Sequence, residues 1–402
     1  MGLFMKRIII VGGSFGGLTA AFRLKDKLGA HADITLISDN EIFTFTPSLP
    51  WVAMGWKNPE KIVFDIRRPL QRKNIHFLLG EVTLFDLNRQ MVEVAGRVEH
   101  YDHLLIATGS DLDFHAIPGL GPDAHTHSIL TMNHTLSAKE RLSHVLSADK
   151  GNIVIGCTQG ASCLGPAYEL IMMIDMELRR KRKRHNFNLH FITPEPFLGH
   201  FGIGGAGKAQ KLIEDDFLDK DIQFHLNAQV EEVTPENILL KDGSCIPQDF
   251  SMIVPSFLGV SAVRKSEGLG NPKGFIPVDD GYRHANEAIH AVGVAVAIAP
   301  PYPTSVPVGV PKTGNMTIQM ANIAVEDIIS TIQNKPRPIH SPLSVTCIAD
   351  QGNTALYFTV SPVLPPRHKI FTRKAVWAHM LKLGLERYEM WRMSNGFSSL
   401  PG

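Results

Sequence analysis

A β-branched apolar run from Lys6 to Val11 is followed by a cluster of glycines and then by apolar residues at helical spacing from Leu18 to Leu28. That order predicts a strand, a tight turn and a helix. A second strand over Asp33 to Ser38 completes a βαβ unit. The order recurs further on, with a strand over Asn152 to Ile155, a helix near Gly165 to Lys183 and a strand over Asn188 to Thr193. Two such units in tandem predict an α/β protein with two Rossmann-like dinucleotide-binding domains. From Gln223 to Pro255 the pattern is one of short strands with turn signals such as Lys241-Asp242-Gly243, and a Pro/Gly-rich stretch then runs to Gly314. Met316 to Gln333 returns to helical spacing. The pattern places a first domain at 1–112 and 275–343, a second inserted at 113–274, and a small C-terminal unit at 344–402.

Composition agrees with that division, since 402 residues at 44% hydrophobic content exceed what one ordinary core holds. Forty basic residues against 39 acidic ones leave a net charge of +1, which gives no bulk electrostatic case for a nucleic-acid partner. The longest apolar runs, such as Ile8 to Val11 and Ala291 to Pro301, are far short of the ~20 residues that span a bilayer. The first strand follows the N-terminus so closely that no removable signal peptide is expected, and the cytoplasm is the expected compartment. Four cysteines are too few for a disulfide scaffold. In a reducing compartment, any that pair are catalytic before they are structural.

Gly12-Gly13-Ser14-Phe15-Gly16-Gly17 sits where the first strand turns into a helix, and there backbone N–H groups and the helix dipole can hold a pyrophosphate. Ser14 replaces the second glycine of the strict pattern, and taken alone such a loop also serves as a ligand-free turn. Ser38-Asp39 closes the second strand about twenty residues on, where a polar or acidic group meets ribose hydroxyls. Tyr101 to Gly109 resembles the segment by which flavoprotein reductases return to their cofactor, and Ile289 to Gly293 resembles their second flavin-contacting strand, with Val294 where those enzymes carry Asp. The second unit has Thr158 at the position where close approach to a pyrophosphate requires Gly, followed by the bulky Cys163 and Leu164. Its nicotinamide site is therefore read as degenerate, and another electron donor is expected.

Several segments together resemble the sulfide:quinone oxidoreductases, members of the two-Rossmann flavoprotein disulfide reductase superfamily. They are Phe43 to Trp51, Gly160 to Glu169, Gly199-His200, Val308 to Gly314 and Cys347 to Asp350. The resemblance runs nearly the full length. It implies FAD as cofactor, hydrogen sulfide as donor and a quinone as acceptor. It also implies a redox pair, with Cys347 as the flavin-side thiolate and Cys163 as carrier of the growing sulfur chain. Hydrosulfide attack on a disulfide gives a persulfide and frees a thiolate able to pass on two electrons. Cys163 begins a helix whose dipole is expected to favour an anion.

Glu169, His134 and His200 match positions near the family's sulfide pocket and are candidates for proton handling. Gly12, Ser14, Phe15, Gly17, Ser38, Asp39, Pro47, Val82, Thr108, Gly109, Gly293, Lys312, Thr313 and Gly314 are the cofactor-site candidates, with Lys312 placed to balance negative charge on a reduced ring. Phe43, Phe45, Ile348, Lys369, Phe371 and Tyr388 fall in the family's quinone segments. Many members carry a third redox thiol in a His-Ser-x-Cys segment, which here reads His127-Ser128-Ile129-Leu130. The chain is thus a variant without that thiol. Cys157, ending a buried strand, is read as core, and Cys245 as incidental to its turn.

Residues 373–393 read as a helix with Trp377, Met380, Leu381, Gly384, Tyr388 and Trp391 on one stripe. Lys382, Glu386 and Glu389 lie off that stripe, and Arg373, Lys374, Arg387 and Arg392 are placed to meet lipid head groups. A peripheral seat on a membrane surface follows. Because the tail ends at Gly402, without the second amphipathic helix common in the family, anchoring is expected either to be weaker or to draw on a homo-oligomer. Three rivals share parts of this pattern. A type II NADH:quinone dehydrogenase requires the second glycine fingerprint. A flavocytochrome c sulfide dehydrogenase flavoprotein requires export and an N-terminal cysteine. A non-catalytic flavin or sulfur carrier would hold FAD that sulfide does not bleach.

Overall fold

A computed structural model describes residues 5–398; the first four residues and the last four, on which the readings of the chain's two ends fall, lie outside the described residues. The first strand, Lys6–Val11, is the middle of a five-stranded sheet because its last four residues are all buried and both its edges are paired. Ala32–Ser38 and then His76–Leu79 lie on one side of it, and His103–Ile106 and then Ile289–Ala291 on the other. Every pairing is parallel. A parallel sheet covered on both faces needs near-continuous apolar strands, which His103–Ile106, buried at all four positions, provides.

A second parallel sheet has the order Ile222–His225, Phe187–Ile192, Gly151–Cys157 and Phe250–Val254. The helix between its first two strands in sequence runs Gly165–Arg180 and ends before Arg182, whose φ of 59° is incompatible with another helical turn. The α/β class with two Rossmann-like sheets is the architecture that the hydrophobic pattern predicts. A third sheet, antiparallel, joins Val345–Asp350, Ala355–Ser361 and Lys369–Ala375. Residues 373–375, expected to begin a helix, instead complete the last strand by pairing with 355–357, and the helix spans Val376–Ser394.

The helix Gly314–Ile332 lies against the glycine-loop helix Phe15–Leu28 and is tied down by one fully buried carboxylate, Asp327. Asp327 accepts from His290 at 2.9 Å, from Arg283 at 2.9 Å and from Arg337 at 2.7 Å. Burial alone would raise its pKa, but those three donors hold it well below the carboxylate range. Its stabilising contribution is therefore complete above the unfolded carboxylate's pKa and is lost as pH falls toward the folded value. Asp327→Asn is expected to lower the free energy of unfolding at neutral pH by about 3 kcal/mol, because it leaves the largely buried Arg283 without its counter-charge. Urea melts should also show the variant losing less stability than the native chain on acidification below about pH 4.

Candidate functional site

The glycine loop is shaped by close backbone approach. Gly12 has a φ of 117° and donates to the Ile37 carbonyl at 2.8 Å. A Cβ there would strike the Ala107 carbonyl, and one on Gly17 would strike the carbonyl of Gly12 itself. Ser14 precedes the helix, is exposed and makes no capping hydrogen bond, so the orphan N–H groups of the first turn face an open cradle. Gly293 and Gly16 both abut Thr317, and Gly314 abuts the ring of Phe15, which brings the N-termini of the two helices together. Ser38 packs on Gly13, with exposed Asp39 beside it, and the N–H of Gly80 donates to Ser38 at 2.8 Å, which sets Val82 near the same end. Thr108 and Gly109 follow the strand His103–Ile106 on the cradle side, and Pro47 lies exposed in a short turn. A cradle that side chains would fill fits a dinucleotide pyrophosphate.

Lys312 lies at the mouth of the second helix, with its ammonium 4.9 Å from the ring centre of Phe275, and burial lowers its pKa to about 8. Thr313 caps that helix by accepting from Met316 at 3.3 Å.

The matching loop of the second sheet is closed by the chain itself. Gly160 donates to the Pro307 carbonyl at 2.6 Å, and Gly309 donates back to Ala161 at 2.9 Å. The Gln159 amide clasps both backbone groups of Val230, each at 3.0 Å. Thr158, at the position of the missing glycine, is buried.

Cys163 precedes the helix Gly165–Arg180, which carries Glu169 on its first buried turns, and Cys347 lies on the strand Val345–Asp350 that packs against that helix. Both thiols are free and half-buried. Burial, and after it the Glu169 carboxylate, push Cys163 up to about 11 and Cys347 up to about 12. The expected thiolate at the helix N-terminus is thus outweighed: removing the sulfur from water costs more than the dipole returns. Cys347 also lies within the field of Cys163.

Glu169 is bound by Lys382 of the C-terminal helix at 2.6 Å, both groups being buried. Desolvation raises Glu169 to about 7, with Lys382 opposing it. Lys382 also lies 4.7 Å from the Trp51 ring, and Lys57 lies 4.8 Å from it. Lys57 binds Glu386, one helical turn beyond Lys382, at 2.5 Å. Asp350, three residues after Cys347, takes a 2.5 Å contact from His379.

The C-terminal helix is therefore turned opposite to the usual sense. Lys382 and Glu386 are each 5% exposed, whereas Met380 is 59% exposed. Arg392 is buried and paired with Glu389, and Lys374 is paired with Asp216, so neither is positioned for the lipid-facing role expected of it.

Each of the two histidines has its own set of neighbours. His134 faces Phe114 at 5.8 Å, with Asp123 as its charged neighbour. His200 accepts from Gly202 at 3.2 Å and sits by Phe197, and burial, then Arg367, lower its pKa. Neither contributes to the shift of either cysteine.

The quinone candidates divide into two groups. Phe43, 1% exposed, stacks on Phe64 and meets Phe15 edge-on, and Phe45 also packs on Phe15. These two form the wall behind the glycine loop and do not line an open pocket. Ile348 pairs across the third sheet with Tyr357, whose ring lies 5.9 Å from Phe371 and 5.3 Å from Trp377. Lys369 begins the same outer strand, and Tyr388 lies 6.5 Å from Trp391. Tyr357 is a member of this cluster that its neighbours in sequence do not signal.

The pyridine nucleotide-disulphide oxidoreductase family matches residues 6–163. The sulfide-quinone reductase of Aquifex aeolicus is 37% identical over 97% of this chain and 92% of its own length. The chain belongs to the sulfide:quinone oxidoreductase family. The crystal structure of the Aquifex aeolicus family member superposes with a TM-score of 0.94 at 36% identity, covering 98% of this chain and 92% of that one. A type II NADH:quinone oxidoreductase of Staphylococcus haemolyticus is 29% identical, over only 29% of this chain. The family's cofactor is FAD. Gly17→Ala tests the Gly12 to Gly17 loop as the seat of FAD: the expected outcome is protein that keeps its far-ultraviolet circular dichroism but loses flavin absorbance and does not regain it on incubation with FAD.

Proposed function

We propose that this chain oxidises sulfide to zero-valent sulfur or polysulfide at Cys163 and Cys347 and passes the two electrons through FAD to a membrane quinone. The observation that carries the reading is the contrast between the two loops. The Gly12 to Gly17 cradle is open, whereas the loop where a nicotinamide dinucleotide would bind donates to Pro307 and is braced by Gln159. A donor that needs no such loop is then required, and the two cysteines sharing Glu169 supply its site.

With the pair oxidised, hydrosulfide attacks the sulfur of Cys163, the sulfur–sulfur bond breaks, and Cys347 leaves as thiolate. Cys163 then carries a persulfide. The proton of hydrogen sulfide goes to ionised Glu169, whose pKa near 7 suits exchange at neutral pH. FAD, when bound, would take up the two electrons released as the Cys347 thiolate bonds to the outer sulfur of the Cys163 persulfide, which gives up its proton, and would pass them to the quinone, leaving the pair bridged through one added sulfur atom. Lys312, when charged, balances the negative charge of the reduced cofactor. Leu130 packs against the core where relatives carry a third thiol, so sulfur leaves from the pair itself.

Among the described residues no helix is long and apolar enough to cross a membrane. Val376, Trp377, Met380, Leu381 and Trp391 are exposed on the C-terminal helix, with Ile370 and Phe371 exposed on the adjoining strand. A face of this kind with an ionic inner side fits a peripheral seat on the cytoplasmic surface of the membrane.

Anaerobic sulfide is expected to bleach the flavin, and a short-chain quinone to restore its colour; rapid bleaching by NADH but not by sulfide contradicts the assignment. Cys347→Ser should retain FAD and lose sulfide-driven bleaching. Trp377→Glu combined with Met380→Glu should abolish sedimentation with phospholipid vesicles while leaving bleaching by sulfide intact, and unchanged sedimentation would remove this face from the account.

A further inference from the structure

Among the described residues, the buried cation that acts on Cys347 comes from the helix whose other face is apolar and exposed. Lys382 contributes to the field at Cys347 and binds Glu169, which acts on both cysteines. We propose that Lys382 is a positioning residue for sulfide oxidation: by pairing with Glu169 it keeps that carboxylate ionised and aimed at the Cys163–Cys347 pocket as the acceptor of the substrate's proton. The inference rests on the sulfide-oxidising role assigned to this pair.

The geometry permits little else for Lys382. Its ammonium lies over the ring of buried Trp51, 4.7 Å from the ring centre, and meets Glu169 at 2.6 Å. The charged and titratable groups around Glu169 come from four elements. The strand behind it brings Cys347 and Asp350, and the loop before its own helix brings Cys163. The C-terminal helix brings Lys382 and, through Asp350, His379. Beyond Trp51 lie Lys57 and Glu386, already paired with each other. Of these, Asp350 disfavours a charge on Glu169, and so would either thiolate. Lys382 is the cation bound directly to it, so its removal leaves desolvation and like charges opposed by the backbone N–H of Asp350, a weaker stabiliser of the carboxylate than a full charge. The step is a proton transfer only: hydrogen sulfide loses a proton to the Glu169 carboxylate, and the hydrosulfide so formed attacks the sulfur of Cys163.

The test is the pH dependence of anaerobic flavin bleaching by sulfide, measured by stopped flow on FAD-loaded protein. The titration of hydrosulfide itself is common to every variant, so differences between profiles belong to the protein. In Lys382→Met the acid limb should move to higher pH by about one unit or more, and Lys382→Arg should bring it back. A Lys382→Met limb that coincides with the native one, even at a lower plateau, overturns the proposal and leaves Lys382 a packing residue. Should Lys382→Met fail to hold flavin, the double variant Glu169→Gln with Lys382→Met leaves no unpaired buried charge at this site and is measured in its place. Its profile should then follow hydrosulfide alone, and retention of the native limb overturns the proposal. Native protein that sulfide does not bleach removes the underlying reading, and this inference with it; native protein that bleaches with an unmoved variant limb removes the inference alone.

Discussion

The ion pair between Glu169 and Lys382 is made where water is excluded, and the arrangement of the active region depends on it. A buried carboxylate without a cation is neutral, and a buried ammonium without an anion is expensive to keep. Each group is tolerable only because the other is there. That requirement fixes the C-terminal helix against the helix Gly165–Arg180 and the strand Val345–Asp350, the elements next to Cys163 and carrying Cys347. It also dictates the helix's orientation. With Lys382 and Glu386 turned inward to meet Glu169, Lys57 and Ser48, the apolar residues of the same helix have no place but the outside. The exposed apolar surface and the side that meets Glu169 are two faces of one helix.

The two Rossmann-like units show how one architecture is opened for a ligand or closed. Both present a loop at the end of a central parallel strand. In the first, positive φ and the missing Cβ atoms of Gly12 and Gly17 keep helix and strand close while the N–H groups face outward. In the second, those groups are satisfied by the chain segment around Pro307 to Gly309, which continues toward Lys312 and the second cofactor helix. One segment thus seals a nucleotide site and leads to the cofactor's mouth, consistent with electrons entering as sulfur chemistry rather than as hydride.

Most of the fold was legible in the sequence because parallel, doubly covered strands leave continuous apolar runs such as Ile8 to Val11, and the glycine loop punctuates them. The family was legible through its motifs, and Thr158, at the position of the missing glycine, lies buried in a second loop that the chain itself braces. The inward role of Lys382 was not legible. Periodicity assigns charged residues to water, and only a tertiary partner from 213 positions away reverses that assignment. Phe43 shows the opposite error: an aromatic in a quinone segment reads as a wall, while the stack with Phe64 and Phe15 places it in the core. The thiol acidities were misjudged for a similar reason, since a helix N-terminus is visible in sequence whereas the desolvation of Cys163 is not.

The central claim is that Cys163 and Cys347 act as one sulfur-carrying pair. Peptide mass mapping of native protein quenched with acid after an anaerobic pulse of sulfide tests it most directly. The expected result is added sulfur on the Cys163 peptide, or a Cys163–Cys347 cross-link lengthened by one or more sulfur atoms, with Cys157 and Cys245 unmodified. Sulfur on Cys157 or Cys245 with an unmodified Cys163–Cys347 pair would contradict the account.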